Sequence, residues 1–440
     1  MKCETTCLAW SSTCRRDVSR YRDELAWLYG LESRGIKLGL TRMQEAAAAR
    51  GNPERDLAWI HVAGSNGKGS VVAMLESMLR AAGYRTGQFS SPHLQRYVER
   101  VRVNGRPISE REAARRIRSQ RTDADLPPLT FFEHSTLLAF EAFRDAKCDV
   151  VLLEVGLGGR LDSTNIVTPR VCVITNISLE HQHILGDTRS QIAREKAGII
   201  KPAVPCVVGA KGREVRRVIG AVARRKEAPL RWLGRDFDAS WQGRKVDVRV
   251  GEELFQGLQL GLRGRYQADN AACAIAALRE LDPRELAVPE EAIRRGLRNA
   301  KWPGRLELHK GRPSFLFDAA HNVAGCASLC SYLDSLDWPG PVVLVFAAMR
   351  DKRHERMLAA FDGTVTRRVY VEPSIERAAP PARLAELRSG TVARSVRDGL
   401  ARAKRAAGPD GLVVVAGSIF LVSEARAIIK GVRTDPAIGM

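Results

Sequence analysis

The stretch His61-Val-Ala-Gly-Ser-Asn-Gly-Lys-Gly-Ser70 decides the fold of this chain. It overlaps an apolar run, Leu57-Ala-Trp-Ile-His-Val62, that has the composition of a buried strand. Behind it, apolar residues recur at helical spacing and predict an amphipathic helix; they are Val71, Met74, Leu75, Met78, Leu79 and Ala82. A glycine-rich turn between strand and helix offers backbone N–H groups and a helix N-terminus to phosphate. The sequence therefore predicts a nucleotide site at this turn.

The loop departs from the common phosphate-loop pattern G-x-x-x-x-G-K-[ST]. Val62 stands where that pattern has its first glycine, and Gly69 stands where it has a hydroxyl. A tight strand-to-helix turn without a ligand would explain the glycines, but it gives no reason for Lys68. A cation at the start of a helix suits the β- and γ-phosphates of a nucleotide. We therefore interpret Lys68 as a phosphate-binding residue.

The length and composition limit the class of protein. A chain of 440 residues exceeds one typical hydrophobic core and predicts two or three domains. Hydrophobic residues make up 45% of the chain, which is ordinary for a globular protein. No apolar run approaches the roughly 20 residues of a membrane span, and the N-terminus lacks the apolar core of a signal peptide. We therefore expect a cytoplasmic protein with no membrane partner.

The formal net charge of +20 allows three interpretations. An arginine-rich, solvated surface explains it without any function. A positive potential that attracts polyanionic small molecules is the second interpretation. Nucleic-acid binding is the third, but the chain has no basic repeat interleaved with aromatic residues and no zinc module. We therefore expect no nucleic-acid partner.

The nine cysteines are scattered through the chain. In the cytosol most of them should be buried thiols rather than disulfides. Cys326 and Cys330 are four residues apart, and Cys3, Cys7 and Cys14 cluster near the start. Either group could be a metal site, but neither has a matching Cys/His pair nearby.

Strands and helices alternate along most of the chain, which predicts a parallel sheet covered on both faces. Strand-like runs include Val150–Val155, Val171–Ile174 and Pro205–Val208, and a helical pattern covers Thr136–Ala146. Lys301-Trp-Pro-Gly-Arg305 interrupts the alternation and is the predicted domain boundary. We therefore predict a disordered extension over 1–17, a first domain over 18–300 and a smaller α/β domain over 301–440.

Three charged or titratable residues, two of them near predicted strand ends, need separate interpretations. Glu154 ends a buried strand at the edge where open α/β sheets bind ligands. A carboxylate there needs a cation, either Mg²⁺ beside ATP phosphates or a structural arginine. His181 follows the next strand, and its pattern alone suggests a hydrogen-bonding histidine. Lys196 lies in a segment of Glu, Arg and Lys, and this pattern alone predicts a surface lysine.

The motif Ala63-Gly-Ser-Asn-Gly-Lys-Gly-Ser70 resembles the ATP loop of the Mur ligase superfamily, and more closely that of the folylpolyglutamate synthase/dihydrofolate synthase family. Further motifs of that family follow in the same order. They are Ser90–Leu94, Glu99–Gly105, Thr130–Glu133, Glu154–Asn165, Arg194–Ile199, Trp302–Arg305, Asp318–Asn322 and Gly417-Ser418. The resemblance covers residues 18–430. It implies a Mur-ligase-like P-loop ATPase domain with a parallel central sheet, followed by a smaller Rossmann-like α/β domain.

The resemblance also implies roles for particular residues. For ATP they are Ser65, Asn66, Gly67, Lys68, Gly69, Ser70, Asn270, Arg305 and Asp318. For the folate they are Thr130, Phe131, Phe132, Glu133, Leu161, Asp162 and Ser163. His321 and Ser418 are implied for glutamate, and the implied metal ligands are Ser91, Glu154, His181 and Lys196. The catalytic set is Lys68, Glu154, His181 and Lys196, with Lys196 carrying a carbamate derived from CO₂.

The activity implied by the family is ATP-dependent ligation of L-glutamate to a folate or pteroate carboxylate through an acyl phosphate, within folate biosynthesis. The implied substrates are dihydropteroate or tetrahydrofolate, and the implied cofactors are ATP, two Mg²⁺ ions and K⁺. We expect a monomer. The alternative is another Mur-superfamily amide ligase that acts on a UDP-muramyl substrate, although such enzymes carry a whole domain before the loop. A nucleic-acid-dependent NTPase and a non-catalytic relative are weaker alternatives.

The sequence departs from the family around the metal histidine. The family commonly reads Leu-Asp-His-Thr-Asp there, whereas this chain reads Leu179-Glu-His-Gln-His183. Glu180 is longer than aspartate, and Gln182 replaces a hydroxyl. These changes put in doubt how the histidine is oriented.

Overall fold

The computed structural model describes residues 20–35 and 37–435. The predicted extension over 1–17, with Cys3, Cys7 and Cys14, lies outside the described residues. We call residues 20–300 the N-terminal part and residues 301–435 the C-terminal part. The first sheet lies in the N-terminal part and positions the phosphate loop.

The first sheet has eight strands. They are β1 (Ala58–Ala63), β2 (Thr86–Phe89), β3 (Val101–Val103), β4 (Arg106–Pro107), β5 (Val150–Glu154), β6 (Val171–Ile174), β7 (Cys206–Val208) and β8 (Leu230–Trp232). Their order is β4-β3-β2-β5-β1-β6-β7-β8. The six strands from β2 to β8 are parallel, and β3 and β4 add an antiparallel edge. Because β1 lies between β5 and β6, the loops after these three strands meet at one edge.

Helices cover both faces of this sheet. They are α1 (20–30), α2 (Thr41–Ala49), α3 (Lys68–Ala81), α4 (Glu110–Arg121), α5 (Phe131–Asp145), α6 (Gln182–Leu185), α7 (Arg189–Ala197), α8 (Arg213–Arg225), α9 (Gln267–Arg279) and α10 (Glu290–Asn299). Short 3₁₀ turns occupy Leu31–Arg34, Tyr97–Arg100 and Ser163–Ile166.

Helix α3 differs from the amphipathic helix predicted by the sequence. All residues from Ser70 to Leu79 are buried, including Glu76 and Ser77. The sheet covers one side of α3, and α9 and α10 cover the other. The fit to α10 is close, because a Cβ on Gly296 would lie 2.4 Å from Cα of Met78. The helix behind the phosphate loop is therefore a central element and not a surface one.

Helix α5 begins five residues earlier than the pattern over 136–146 predicts. Thr130 caps its N-terminus, and its hydroxyl accepts a hydrogen bond from the Glu133 N–H. The Glu133 side chain accepts in turn from the Thr130 N–H at 2.8 Å. This capping box is a local start signal that apolar periodicity alone does not detect.

A small antiparallel sheet packs on α9. Its strands are β9 (Phe237–Gln242), β10 (Lys245–Val250) and β11 (Glu253–Leu258). Their inward side chains, which include Phe237, Val246, Val248 and Phe255, join the same core as α3 and α9. This sheet therefore supports α9, the helix that carries Asn270.

The C-terminal part contains a six-stranded sheet of order β12-β13-β17-β14-β15-β16. Its strands are β12 (Glu307–His309), β13 (Ser314–Phe317), β14 (Val342–Phe346), β15 (Arg367–Tyr370), β16 (Thr391–Val392) and β17 (Leu412–Ala416). Its helices are α11 (Val323–Asp334), α12 (His354–Ala359), α13 (Pro381–Leu387), α14 (Val396–Ala407) and α15 (Ile419–Lys430). Only β12 runs antiparallel. The predicted α/β class, a parallel central sheet followed by a smaller Rossmann-like unit, is confirmed.

The six described cysteines are buried free thiols, as predicted for them. Cys326 and Cys330 lie four residues apart on α11. Within residues 20–35 and 37–435, no helix has both the length and the apolar character needed to cross a bilayer.

Candidate active site

The phosphate loop, residues 64–70, turns from β1 into α3. Gly67 precedes α3 with a φ of +87°, a left-handed conformation that favours glycine. A Cβ at Gly67 would lie 2.6 Å from Oδ1 of Asn270, so the site also requires glycine for space. The first N–H groups of α3 have no partners within the helix. They are therefore available to a phosphate.

Two lysines converge on one carbonyl of this loop. Nζ of Lys68 donates to the Gly64 carbonyl oxygen at 3.0 Å, and Nζ of Lys196 donates to the same oxygen at 3.1 Å. Lys196 is only 2% exposed, so its interpretation as a surface lysine is wrong. The segment 194–199 packs α7 under the phosphate loop, a placement that charge composition does not reveal.

Lys196 also forms a buried ion pair with Glu180. Nζ of Lys196 lies 2.7 Å from Oε1 of Glu180. Burial alone would raise the pKa of Glu180, but Lys196 and Lys68 together lower that pKa to about 2. Burial lowers the pKa of Lys196, and the Glu180 carboxylate opposes that shift. Glu180, which stands where the family commonly has aspartate, therefore lies with its carboxylate directly on the lysine.

Glu154 ends β5 beside Val62 of β1. It is 5% exposed, and none of the ion pairs within the described residues includes it. The Ser91 N–H donates to its carboxylate. Burial raises the pKa of Glu154 to about 7, against the opposing positive charges of Lys68 and Arg305. Glu154 therefore does not form, with any described arginine, the ion pair that was the alternative explanation of its position. Its carboxylate is free to accept a cation.

His181 has a φ of +44° at the start of the short helix α6. Burial lowers the pKa of its imidazole to about 4, so the ring is neutral at physiological pH. A neutral imidazole can ligate a metal. Across the described part of the chain, no three His, Cys, Asp or Glu side chains come together as a metal site. Ser91, Glu154 and His181 would instead offer mostly oxygen donors, a set that suits Mg²⁺ or Mn²⁺.

A chain of polar side chains joins α3 to α9. Nε2 of Gln267 donates to the Ser70 hydroxyl at 3.3 Å, and Nδ2 of Asn270 donates to Oε1 of Gln267 at 2.8 Å. Asn270 thereby faces Gly67 at the helix start. This position is compatible with its predicted contact to the nucleotide, which stays a prediction.

The N-terminal side of the loop is held by the segment after β6. The Asn66 N–H donates to Oδ1 of Asn176 at 2.8 Å, and the Thr175 hydroxyl donates to the Asn66 carbonyl at 2.6 Å. The Ser65 hydroxyl donates to the Ser178 carbonyl at 3.1 Å. Ser65 and Asn66 are thus fixed by contacts within the protein. The phosphate contacts of the loop residues stay a prediction.

The C-terminal part touches the phosphate loop directly. Nδ2 of Asn322 donates to Oδ1 of Asn66 at 3.1 Å. A Cβ on Gly69 would lie 2.6 Å from the indole of Trp302, which shows how tightly the linker covers the loop. Nη2 of Arg353 donates to Oε1 of Gln182 at 2.7 Å. No sequence pattern predicts a site role for Asn322, Trp302 or Arg353, because only the folded chain brings them to the loop.

Arg305 and Asp318 lie at this boundary. The two carboxylate oxygens of Asp318 accept the N–H groups of Leu306 and Ala320, at 2.8 and 2.9 Å. Asp318 therefore shapes the turn that presents Arg305, and the charge of Arg305 counters the rise in the pKa of Asp318 that burial causes.

The predicted folate residues form the wall beside β2 and β5. The Phe131 ring packs beneath the buried guanidinium of Arg100, 4.9 Å from the ring centroid. Phe132 packs against Phe89 and against Gly156, where a Cβ would lie 2.3 Å from the Phe132 ring. Arg100 was not among the predicted site residues, although Glu99–Gly105 was quoted as a family motif.

Thr130 and Glu133 already have partners within the fold. Besides the capping box, Glu133 forms an ion pair with Arg42 at 2.9 Å. Both residues therefore fix the start of α5 and so aim Phe131 and Phe132. Their contact with a ligand stays a prediction.

The loop after β5 brings Leu161, Asp162 and Ser163 to the same wall. Oδ2 of Asp162 accepts from the Leu157 N–H at 2.8 Å, and Oδ1 accepts from the Thr164 hydroxyl at 2.5 Å. That hydroxyl also lies 2.9 Å from Nε2 of His61, inside the sheet. The Ser163 hydroxyl lies 2.8 Å from that of Thr136. His61 was quoted in the opening motif but assigned no role.

The two predicted glutamate residues lie on the C-terminal part. Nδ1 of His321 hydrogen-bonds to the Ala319 carbonyl at 2.9 Å, and burial lowers the pKa of the imidazole to about 4. Ser418 is 1% exposed, and its hydroxyl caps α15 by accepting from the Phe420 N–H. His321 follows the turn that meets Asn66, whereas the Ser418 oxygen is occupied within the fold.

The chain is similar to known families and proteins. The Mur ligase middle domain matches residues 62–278, and the Mur ligase glutamate ligase domain matches residues 304–419. The chain is 34% identical over 429 residues to "Dihydrofolate synthase/folylpolyglutamate synthase" of Bacillus subtilis, covering 93% of this chain and 99% of that protein.

Two solved structures are also similar. Escherichia coli FolC in complex with DHPP and ADP has a TM-score of 0.85 and 37% identity, over 93% of this chain and 98% of that one. A bifunctional folylpolyglutamate synthase/dihydrofolate synthase with Mn, AMPPNP and L-glutamate bound has a TM-score of 0.84 and 36% identity. That match covers 92% of this chain and 98% of the other.

Proposed function

Because the chain belongs to the dihydrofolate synthase/folylpolyglutamate synthase family of Mur ligases, we propose that it ligates L-glutamate to a pteroate or folate carboxylate with ATP. One observation on this chain supports the proposal. Lys68 and Lys196 meet at the Gly64 carbonyl, and the unpaired carboxylate of Glu154 stands near Lys68 at the same sheet edge. This clustering of two lysines and a buried carboxylate supports a role in phosphoryl transfer.

The first step transfers the γ-phosphoryl group of ATP to the acceptor carboxylate. The N–H groups at the start of α3 and the ammonium of Lys68 hold the phosphates. Arg305, fixed by the turn that Asp318 shapes, adds positive charge from the C-terminal part. The products of this step are ADP and an acyl phosphate on the acceptor.

The second step is attack by the amine of L-glutamate on the acyl phosphate, which releases phosphate and forms the amide. Positioning and charge stabilisation suffice for this step, since the acyl phosphate is already activated. The amine must be deprotonated before it attacks, and its proton leaves to solvent. Phe131 and Phe132 would hold the acceptor ring, with the C-terminal part closing over it.

A divalent metal held by Ser91, Glu154 and His181 would neutralise phosphate charge and orient the γ-phosphoryl group. The proposal extends to two Mg²⁺ ions, a K⁺ ion and a carbamate on Lys196. For the carbamate, Lys196 must first leave its ion pair with Glu180, because only the neutral amine reacts with CO₂.

We also propose domain boundaries at 18–300 and 301–440, a monomer, and a cytoplasmic location.

The alternative of a UDP-muramyl substrate is not favoured. The similarity to the folate enzymes covers 93% of this chain and 99% of the Bacillus subtilis protein. A nucleic-acid substrate has only the net charge in its support.

An acceptor assay tests the proposal. Purified protein is incubated with ATP, Mg²⁺ and labelled L-glutamate, with dihydropteroate, tetrahydrofolate or a UDP-muramyl peptide as acceptor. We expect label to enter one or both pterin acceptors, and no product without ATP. Labelling of the UDP-muramyl acceptor alone, or of none of the three, would overturn the proposal.

A further inference from the structure

The last described residues of the chain, 431–435, cross from the C-terminal part to the N-terminal part. We call them the C-terminal tail. They follow α15, which packs on the sheet of the C-terminal part. Their final residue, Asp435, instead contacts the N-terminal part, where its N–H donates to the carbonyl of Gln95 at 2.9 Å. The tail therefore joins the two parts at a place other than the phosphate loop.

The side chain of Asp435 is anchored on two buried tyrosines. Its Oδ2 accepts from the Tyr21 hydroxyl at 2.6 Å and from the Tyr97 N–H at 2.8 Å. Both tyrosines are fully buried. Burial raises the pKa of the Tyr21 hydroxyl, and the Asp435 carboxylate raises it further, so this hydroxyl remains a donor. Asp435 thus binds the backbone on both sides of Arg96.

The backbone that Asp435 binds belongs to residues 90–100, which connect β2 to β3. We call them the β2–β3 segment. Arg433 of the tail adds an ion pair, because its Nη1 lies 3.1 Å from Oε1 of Glu110 at the start of α4. The Arg96 guanidinium pairs with the same carboxylate oxygen. The tail and the β2–β3 segment are therefore also joined through a shared acid.

The β2–β3 segment supports the predicted pterin wall through Tyr97. The Tyr97 ring packs against Phe131, with ring centroids 6.2 Å apart, and its hydroxyl donates to the Ser135 hydroxyl at 3.1 Å. Three residues further on, the Arg100 guanidinium lies over the Tyr97 and Phe131 rings. Nε of Arg100 donates to Nδ1 of His93, in the same segment. The position of Tyr97 therefore decides where Arg100 meets Phe131.

The C-terminal part also holds this segment through α15. Arg426 of α15 is buried and donates to Oε1 of Gln95. Its other η nitrogen donates to Oε1 of Glu307 at 3.1 Å, and Oε2 of Glu307 accepts from the Gly304 N–H at 2.8 Å. Gly304 lies directly before Arg305 in the linker. The linker, α15 and the C-terminal tail thus form one connected support for the β2–β3 segment.

We propose that Asp435 acts through Tyr97 as a positioning residue for the acceptor, from the C-terminal part of the chain. This inference rests on the proposed function, which supplies the acceptor. A hydrogen bond to a charged group is stronger than a neutral one, so the Asp435 carboxylate holds the Tyr97 N–H firmly. Without it, the buried Tyr21 hydroxyl and the Tyr97 N–H lose their acceptor, and the β2–β3 segment must shift to find others.

The effect should fall on acceptor binding and not on phosphoryl transfer. None of the hydrogen bonds of Asp435 to described residues reaches the phosphate loop, residues 64–70. The Ser90 N–H donates to the Arg100 carbonyl at 3.0 Å, so the base of the β2–β3 segment is closed without the tail. The predicted metal ligand Ser91 lies at this base and should therefore stay in place when Asp435 is replaced.

The test compares Asp435→Ala and Asp435→Asn with wild type. Alanine removes the accepting oxygen, whereas the amide oxygen of asparagine can still accept from Tyr21 and Tyr97. The matched control is Asp410→Ala, which removes an aspartate of the same part of the chain whose side chain is 75% exposed and pairs with the equally exposed Arg312. kcat and KM are measured for the pterin acceptor and for ATP. Hydrogen exchange of peptides from the β2–β3 segment is measured in ligand-free protein, with thermal melting as a check of folding.

We expect KM for the acceptor to rise about fivefold or more in Asp435→Ala, because two hydrogen bonds are lost. Amide exchange in the β2–β3 segment should become about tenfold faster, while kcat and KM for ATP change less than about twofold. Asp435→Asn and Asp410→Ala should behave like wild type. An unchanged acceptor KM, or equal losses in kcat and in both KM values, would overturn the inference.

Tyr21→Phe is the second variant, because it removes one of the two hydrogen bonds and leaves the Asp435 carboxylate in place. It should show a smaller rise in acceptor KM and a smaller increase in exchange of the β2–β3 segment. Wild-type values for both quantities would overturn the inference, even if Asp435→Ala does not fold.

The two proposals fail in different ways. Absence of ligation by wild type rejects the proposed function, while the exchange comparison, which needs no substrate, still tests the hold of Asp435 on the β2–β3 segment. Normal ligation with the same acceptor KM in wild type and Asp435→Ala rejects only the positioning role.

Discussion

Glu180 and Lys196 form a buried ion pair, with Oε1 of the acid 2.7 Å from Nζ of the lysine. The same ammonium donates to the Gly64 carbonyl of the phosphate loop. The acid therefore holds Lys196 as a cation against the burial that lowers its pKa. Any modification of that amine has to compete with this pair.

Replacing Glu180 with glutamine should make Lys196 easier to carbamylate. Without the carboxylate, burial lowers the pKa of Lys196 further and enlarges the neutral fraction of the amine, which is the form that attacks CO₂. The measurement is ¹³C NMR of protein equilibrated with labelled bicarbonate. The carbamate signal should saturate at lower bicarbonate in Glu180→Gln than in wild type. The signal should be absent in Lys196→Ala. Saturation of wild type and Glu180→Gln at the same bicarbonate concentration would contradict the expectation.

Replacing Lys68 with alanine should abolish ligation. Lys68 is the only lysine or arginine within the loop 64–70, and loss of a phosphate-binding cation typically costs about a thousandfold in kcat or more. Lys211→Ala, at an exposed position of the same sheet edge, is the control and should retain activity. A Lys68→Ala enzyme with wild-type kcat would remove this residue from the mechanism.

Gly69→Ala should impair both stability and ligation. Its Cβ would lie 2.6 Å from the Trp302 indole, so the linker must move off the loop. We expect a loss of about 1–3 kcal/mol in unfolding free energy, as for other overpacked sites. Gly30→Ala, where the added Cβ meets no side chain or distant backbone of the described residues within 4 Å, should cost little. Adding Trp302→Ala to Gly69→Ala should relieve the clash, and a more damaged double variant would contradict this reading.

Metal affinity should rise with pH up to neutrality. Burial raises the pKa of Glu154 to about 7 from its ordinary 4.5, so protons compete with a metal below pH 7. In the metal-free protein this carboxyl contributes full stability below pH 4.5, and that contribution is lost as the pH rises to 7. Calorimetric Mn²⁺ affinity with AMPPNP should increase nearly tenfold per pH unit below about 7. His181, already neutral there, adds nothing to this slope, and Glu154→Gln should flatten it.

His61→Phe should weaken acceptor binding more than catalysis. His61 hydrogen-bonds the Thr164 hydroxyl, which donates to Asp162 on the predicted folate wall. Without the histidine the Asp162 loop loses one of its anchors, so KM for the acceptor should rise several-fold while kcat changes little. Thr164→Val should act in the same direction. Equal losses in kcat and kcat/KM would indicate damage to the transition state instead.

Local patterns predicted the elements near the phosphate loop well. Strand β6 matches its predicted bounds, and the loop between β1 and α3 lies where glycines and Lys68 placed it. These features depend on residues close together in the chain. The Thr130–Glu133 capping box was equally local, yet the start of α5 was misjudged because periodicity was weighed above capping.

Long-range packing determines the burial and the contacts that local sequence patterns did not predict. Nothing in the segment around Lys196 reveals that α7 lies under the phosphate loop, so a buried lysine looked like a surface one. The burial of α3 on all sides depends on Gly296, more than two hundred residues away. The contacts of Asn322, Trp302 and Arg353 with the N-terminal part likewise exist only once the two sheets meet.

The hydrogen bond between Asn322 and Asn66 has a consequence for turnover. Trp302 also lies against Gly69. On the proposed function, a spent nucleotide would therefore leave by a route that both halves of the chain border. If ligation is repeated on one acceptor, each added residue would then require these halves to separate and to dock again. The frequency of that opening would set an upper limit on the rate of chain growth, whatever the speed of the bond-forming step.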